Sequence, residues 1–170
     1  EEGGKNLANS LKENNSLKIL NISNNKIKSS YLELGEALEI NDNLTELNIS
    51  DNFISMEKTQ IFSENLSKSK SLTALNISKN PIGDQGIKNI SNALNSNGNK
   101  SLTEIKFNNV NLTDIGAKFL FNSLEENYNL KHIYLNENKL TRKTGELIKN
   151  TLMKNNTLNT LSLRKNNLGD

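Results

Sequence analysis

An α/β fold is the class this sequence predicts: a right-handed solenoid of βα units with a concave parallel sheet and convex helices. Three observations predict it. One eleven-residue pattern returns six times at a nearly constant interval. Between its copies the apolar period changes from strand-like to helical. An asparagine also stands inside the pattern where a buried residue is expected.

The pattern is Leu-x-x-Leu-x-Leu-x-x-Asn-x-Leu, with Ile or Phe in some Leu slots. It starts at Leu17 (LKILNISNNKI), Leu44 (LTELNISDNFI), Leu72 (LTALNISKNPI), Leu102 (LTEIKFNNVNL), Leu130 (LKHIYLNENKL) and Leu158 (LNTLSLRKNNL). The intervals are 27, 28, 30, 28 and 28 residues. A fixed period of this size is the mark of a stacked array. Each copy opens with a short strand. In the second, Leu47 and Ile49 point inward while Glu46, Asn48 and Ser50 point outward.

The helices follow in order. Leu7 and Leu11 belong to one that precedes the first strand, since Leu11 stands six residues before Leu17 as Leu38 stands six before Leu44. Leu34 with Leu38, then Phe62 with Leu66, mark the next two. Ile82, Gly86, Ile90 and Leu94 recur every four residues, as do Leu112, Gly116, Leu120 and Leu124. Leu140, Ile148 and Leu152 complete the series. Such spacing makes one apolar helix face. A lone unit cannot bury both its strand and its helix face, so stacked units must share one core. The expectation is a single domain over residues 1–170, of about six repeats of 27–30 residues.

The asparagine has a physical reason. After each strand the chain bends, and its backbone N–H and C=O groups leave the sheet ladder while still near the core. Unpaired, each costs about 1–3 kcal/mol. An inward asparagine offers both a carbonyl and an amide, so Asn25, Asn52, Asn80, Asn138 and Asn166 are expected to form a ladder serving the bends. The fourth unit has Val110 in that slot. Either a water or the shifted Asn109 or Asn111 serves the backbone there, or the chain kinks locally for function.

These repeats resemble the leucine-rich repeat family. Unit length and full helices are similar to its ribonuclease-inhibitor-like class, which includes ribonuclease inhibitor, the GTPase-activating protein for Ran, tropomodulin and the sensor ends of NOD-like receptors. The likeness covers nearly the whole chain. It implies a binding surface on the concave face and leaves the partner open. The many cysteines of ribonuclease inhibitor and the acidic tail of the Ran activator are missing, while LANSLKEN and SDNFIS look like tropomodulin's repeat region.

Bulk properties narrow the function. Hydrophobic residues make up 34% and the net charge is +2. Residues 1–85 hold nine lysines and twelve acidic residues, net −3, while residues 86–170 hold twelve basic and seven acidic residues, net +5. The molecule is therefore expected to be electrically polar along its length. There is no cysteine, hence no disulfide framework and no thiolate metal site. No apolar run approaches a membrane span and no signal peptide is visible. Asparagine is over-used, and much of that reads as genome composition. Asn21, Asn48 and Asn76 all begin N-x-S triplets on neighbouring strands, too close for three glycans, which points to a cytoplasmic or nuclear protein. The chain starts inside one unit and stops at NNLGD with no polar cap in sight. It is expected to be an excerpt of a longer array, or to self-associate end to end.

Chemistry has little to work with. His132 is the one histidine, and no serine sits in a strained elbow, so no catalytic residue is assigned. The SDN and NEN triplets lack the twelve-residue calcium spacing, so no metal or cofactor is expected. Lys131, Lys139, Arg142, Lys143, Lys149 and Lys154 make the end basic, but without aromatic platforms beyond Tyr134 no specific nucleic acid is expected. The binding residues expected on the concave face are Lys106, His132, Tyr134, Arg164 and Lys165, with Lys79, Glu46 and Glu104, and Phe53 as a second candidate. The leading reading is a non-enzymatic scaffold for a protein partner. The alternative is a regulator of a nucleotide-using partner, either a small GTPase or actin.

Overall fold

The computed structural model describes residues 2–27, 30–95 and 97–169. Helices and strands alternate without exception among them. In chain order they are α1 (Glu2–Glu13), β1 (Ile19–Asn21), α2 (Tyr31–Ile40), β2 (Glu46–Asn48), α3 (Met56–Lys68), β3 (Ala74–Asn76), α4 (Gly83–Ala93), β4 (Glu104–Lys106), α5 (Asp114–Leu124), β5 (His132–Tyr134), α6 (Arg142–Leu152) and β6 (Thr160–Ser162). The strands form one parallel sheet in sequence order, each joined to the next by its helix. The pairing is uniform: Leu20, Leu47, Leu75, Ile105, Ile133 and Leu161 lie side by side, and so do the residues flanking them.

The core is the slab between sheet and helices. Each middle unit supplies the same set; in the second it is Leu44, Leu47, Ile49, Ile54, Phe62 and Leu66, all at most 2% exposed. Both ends of the stack are looser because each has a neighbour on one side only. Leu17 is 37% exposed, and the inward Leu20 and Ile22 are only half-buried. Leu158, Leu161 and Leu163, on and beside β6, are half-buried. The same cause corrects one expected core position. Leu152 is exposed, and α6 turns Thr144 and Thr151 inward instead.

The bends after the strands are held by side-chain amides. Asn52 is fully buried; its Nδ2 donates to the carbonyls of Ile22, Ile49 and Ser50, and its Oδ1 accepts from the N–H groups of Asn25 and Ile27. Asn80 repeats this one unit on, accepting from Asn52 and Ile54 and donating to Ile49, Ile77 and Ser78. Asn138 accepts from Val110 and Leu112 and donates to Phe107 and Leu135. Asn166 accepts from Leu140 and donates to Leu135 and Leu163. Asn25 differs. It is exposed and donates to the Ser23 carbonyl, since among the described residues β1 is the first strand and offers it no earlier bend to reach. The residue before each slot (Asn24, Asp51, Lys79, Asn109, Glu137, Lys165) takes the left-handed conformation, φ 52–59°.

At the valine slot the turn is rerouted. The N–H of Ile82 bonds the Asn80 carbonyl of its own unit, and the N–H of Gly83, at φ 61°, bonds the Val110 carbonyl. Neither side chain of Asn109 or Asn111 serves that turn, so neither of the two side-chain substitutes expected from the sequence is used.

A second ladder lies at the opposite bend, three residues before the opening leucines. Asn41 Nδ2 donates to the carbonyls of Leu11 and Asn14 while its Oδ1 accepts from Asn43 and Leu44. Asn99, Asn127 and Asn155 do likewise in their own units, each nearly fully buried. Part of the abundance of asparagine is therefore structural chemistry. The third unit has Ser69 here, buried, with a hydroxyl that has no partner.

Aspartates at helix starts add a third set of links. Asp84 accepts from the N–H and hydroxyl of Thr113, and Asp114 from the N–H and hydroxyl of Thr141 and the hydroxyl of Thr144. Gly116 leaves room for the first, since a Cβ there would lie 2.5 Å from Asp84 Oδ1. Burial raises the Asp114 pKa, but the Thr141 and Thr144 bonds and nearby Lys143 outweigh it, and the carboxyl is held below its ordinary value.

Three outcomes are expected. Asn52→Val and Asn80→Val each strand several buried groups and should lose about 3 kcal/mol or more in urea unfolding, against a few tenths for Asn25→Val. Ser69→Asn should raise stability by about 1 kcal/mol by restoring the missing rung. A depressed folded pKa stabilises above the unfolded pKa and is lost as pH falls through the folded value. The melting-temperature gap between wild type and Asp114→Ala should thus be widest near neutral pH and close in strong acid.

Candidate binding face

The uniform register sorts the outward side chains into rows, one residue per strand, about 5 Å apart across the sheet. The first row is Ile19, Glu46, Ala74, Glu104, His132 and Thr160. The second is Asn21, Asn48, Asn76, Lys106, Tyr134 and Ser162. Two residues on, at the strand exits, stand Ser23, Ser50, Ser78, Asn108, Asn136 and Arg164. Beyond them lies the row of left-handed residues.

The two halves of this face use their amides differently. In the first three units the second-row asparagine turns on its own backbone. Asn21 and Asn48 accept from the N–H and hydroxyl of Ser23 and Ser50, and Asn76 accepts from the N–H of Ser78. Ser78, expected to face outward, is 6% exposed, and its hydroxyl accepts from the N–H of Asn108. In the later units that task moves one row on. Asn108 Oδ1 accepts from Asn136 N–H, and Asn136 Oδ1 accepts from the Ser162 hydroxyl and the Arg164 N–H. The second row is thereby released to carry Lys106 and Tyr134.

Those two side chains touch. Lys106 Nζ lies 5.3 Å from the Tyr134 ring centroid and 3.0 Å from a Glu104 carboxylate oxygen. His132 Nδ1 is 2.9 Å from Thr160 Oγ1. Glu104, Lys106, His132 and Tyr134 thus form one half-buried patch over β4 and β5. Glu46 joins its flank through a shallow hollow of about 190 Å³ shared with Ile19, Glu104 and Lys106.

Arg164 and Lys165 stand elsewhere, on a trough of about 710 Å³ along the strand exits that also includes Asp51, Lys79 and Glu137. Lys165 Nζ is 2.7 Å from Glu137. That bond and charge, with Lys79 and Arg164 behind them, hold the Glu137 carboxyl below its ordinary pKa. Phe53 lies in neither recess: it occupies the turn past Asn52, 52% exposed at φ 57°. The expected binding residues thus occupy three places: the β4–β5 patch, the trough and, for the second candidate Phe53, the turn past Asn52. The trough was not anticipated; its signal in the sequence was the polar residue always preceding the ladder slot. Among the described residues no three His, Asp or Glu side chains converge as a metal site requires. No helix is long and apolar enough to cross a membrane.

Comparison with known proteins agrees with this fold. Two models described as Leucine Rich Repeat match residues 13–30, 68–91 and 154–170, and residues 43–68. The chain is 32% identical over 148 residues to NACHT, LRR and PYD domains-containing protein 14 of Mus musculus; this covers 86% of the chain and 15% of that protein's length. Among solved structures, leiomodin-1 actin-binding site 2 superposes with a TM-score of 0.72 at 21% identity over 86% of either chain. The Caenorhabditis elegans tropomodulin C-terminal domain does so with a TM-score of 0.71 at 20% identity, over 89% of this chain and 92% of that one. Six parallel strands, six alternating helices, the asparagine ladders and these matches lead to one conclusion: the chain is a leucine-rich repeat protein.

Proposed function

We propose that the chain is a non-enzymatic interaction module that grips a protein partner across β4 and β5 and the adjoining strand exits. The observation that carries this reading is the Lys106–Tyr134 pair beside His132 and Glu104. Its side chains bond one another and are not spent on holding the chain's own backbone. A tyrosine with a cation beside it supplies rigid area and directional bonds, the usual composition of an energetic centre. Lys79, Arg164 and Lys165 lie toward the rim, where charge steers encounter and sets specificity. The sheet is preformed, so little ordering entropy opposes association. Cytoplasm or nucleus is the compartment that fits a cysteine-free chain whose Asn-x-Ser asparagines are engaged with their own backbone.

A second reading is a regulator of a nucleotide-using partner. The likeness in fold to leiomodin-1 actin-binding site 2 and to tropomodulin favours actin over a small GTPase.

The test is capture from native lysate, with the captured protein then titrated. Lys106→Ala combined with Tyr134→Ala should weaken affinity at least about tenfold, and Arg164→Ala by less. Unchanged affinity in a folded double variant rejects the patch. Co-sedimentation with actin filaments and a pointed-end assembly assay decide the second reading, with silence in both removing actin.

A further inference from the structure

The convex side carries a feature that the concave reading does not use. Between the N-terminal turns of α5 and α6 runs a groove of about 1230 Å³. Its floor is apolar: Ile115 is 68% and Phe119 37% exposed, with half-buried Leu147 opposite. The preceding helix has polar residues at the matching positions. There Gln85 bonds Asn89, and Asn89 bonds Thr59 of α3, so those positions are hydrogen-bonded within the fold. Ile115 and Phe119 instead present apolar surface.

The rim is cationic. Lys118, Arg142 and Lys143 border the groove, and Lys88 Nζ lies 5.0 Å from the Phe119 ring centroid. Other lysines of the convex side are neutralised by acids of neighbouring units, as in Lys12–Glu36, Lys68–Glu39 and Lys154–Glu125. Among the described residues Lys118, Arg142 and Lys143 form no ion pair. Two acids are close. They are Asp114 and Glu146, so four cations face two carboxylates and the rim keeps an excess of two positive charges.

We propose that this groove is a second docking surface, taking an acidic peptide segment of a partner protein with large apolar side chains set between its carboxylates. Apolar side chains cover Ile115, Phe119 and Leu147 while carboxylates meet the rim, so both halves of the groove are satisfied by one ligand. A nucleic acid would satisfy only the rim. A second copy of this chain would have to use acids other than Glu33, Glu36 and Glu39 of α2, which are already paired with lysines, and sedimentation tests it.

The probe is a fluorescein-labelled twelve-residue peptide of Asp and Glu interspersed with Phe and Leu, followed by fluorescence anisotropy. Roughly micromolar binding is expected, at least about tenfold weaker for the same peptide with Ser in place of Phe and Leu. Ile115→Ser alone, Ile115→Ser with Phe119→Ser, and Lys118→Glu with Arg142→Glu should each lower affinity, with circular dichroism reporting that the fold is kept. Tyr134→Ala should leave it unchanged, which separates this site from the concave one. Five outcomes overturn the proposal: no binding at millimolar peptide, equal binding of the Ser peptide, variants that bind as wild type, preference for a single-stranded oligonucleotide, or a dimer in sedimentation that the Ile115→Ser variant abolishes.

Discussion

Each coil of this protein must bend twice, and each bend carries backbone N–H and C=O groups out of the sheet or helix ladder while they are still buried. A buried unpaired group costs far more than a typical hydrogen bond contributes. The asparagine side chain answers both needs with one residue, because its amide donates to carbonyls and its carbonyl accepts from N–H groups. Asn52 and Asn80 do so at the strand exit, and Asn41, Asn99, Asn127 and Asn155 at the strand entry. About half of these bonds join one unit to the next, so the same side chains that satisfy the bends also cement the stack.

Because the bonds run between units, a rung depends on its position. Asn52 sits between two strands and serves both, whereas among the described residues Asn25 has none before its own and keeps a local bond. Val110 shows what a missing rung requires. The preceding turn is rewired, with Gly83 in a left-handed conformation and its N–H on the valine carbonyl. Apolar stacking supplies the driving force in such arrays. The amide rungs set which register that stacking adopts.

The same economy shapes the candidate site. Outward asparagines of the first three units are bound to their own serine turns, while in the later units Asn108 and Asn136 take over that task. Lys106 and Tyr134 can stand where they do because the neighbouring row carries the structural load. Function and stability thus compete for positions on one face, and a shift of two residues along the strand exit decides which wins.

Repeat length, strand starts, helix positions and the inward slot were legible in the sequence because each follows from a local period: two along a strand, 3.6 along a helix, and 27–30 for the unit. The entry ladder was present too, as an asparagine three residues before five of the six opening leucines, but against so many asparagines it looked like composition. What only tertiary structure decided was which side chains meet between units. It joined Lys106 to Tyr134, set Arg164 and Lys165 on a separate trough, buried Ser78, exposed Leu152 and left Ile115 and Phe119 open between cations. The physical reason is separation. A period is written in neighbouring residues, whereas these contacts join side chains about one repeat apart, whose meeting depends on the exact register and on whether a further unit lies alongside.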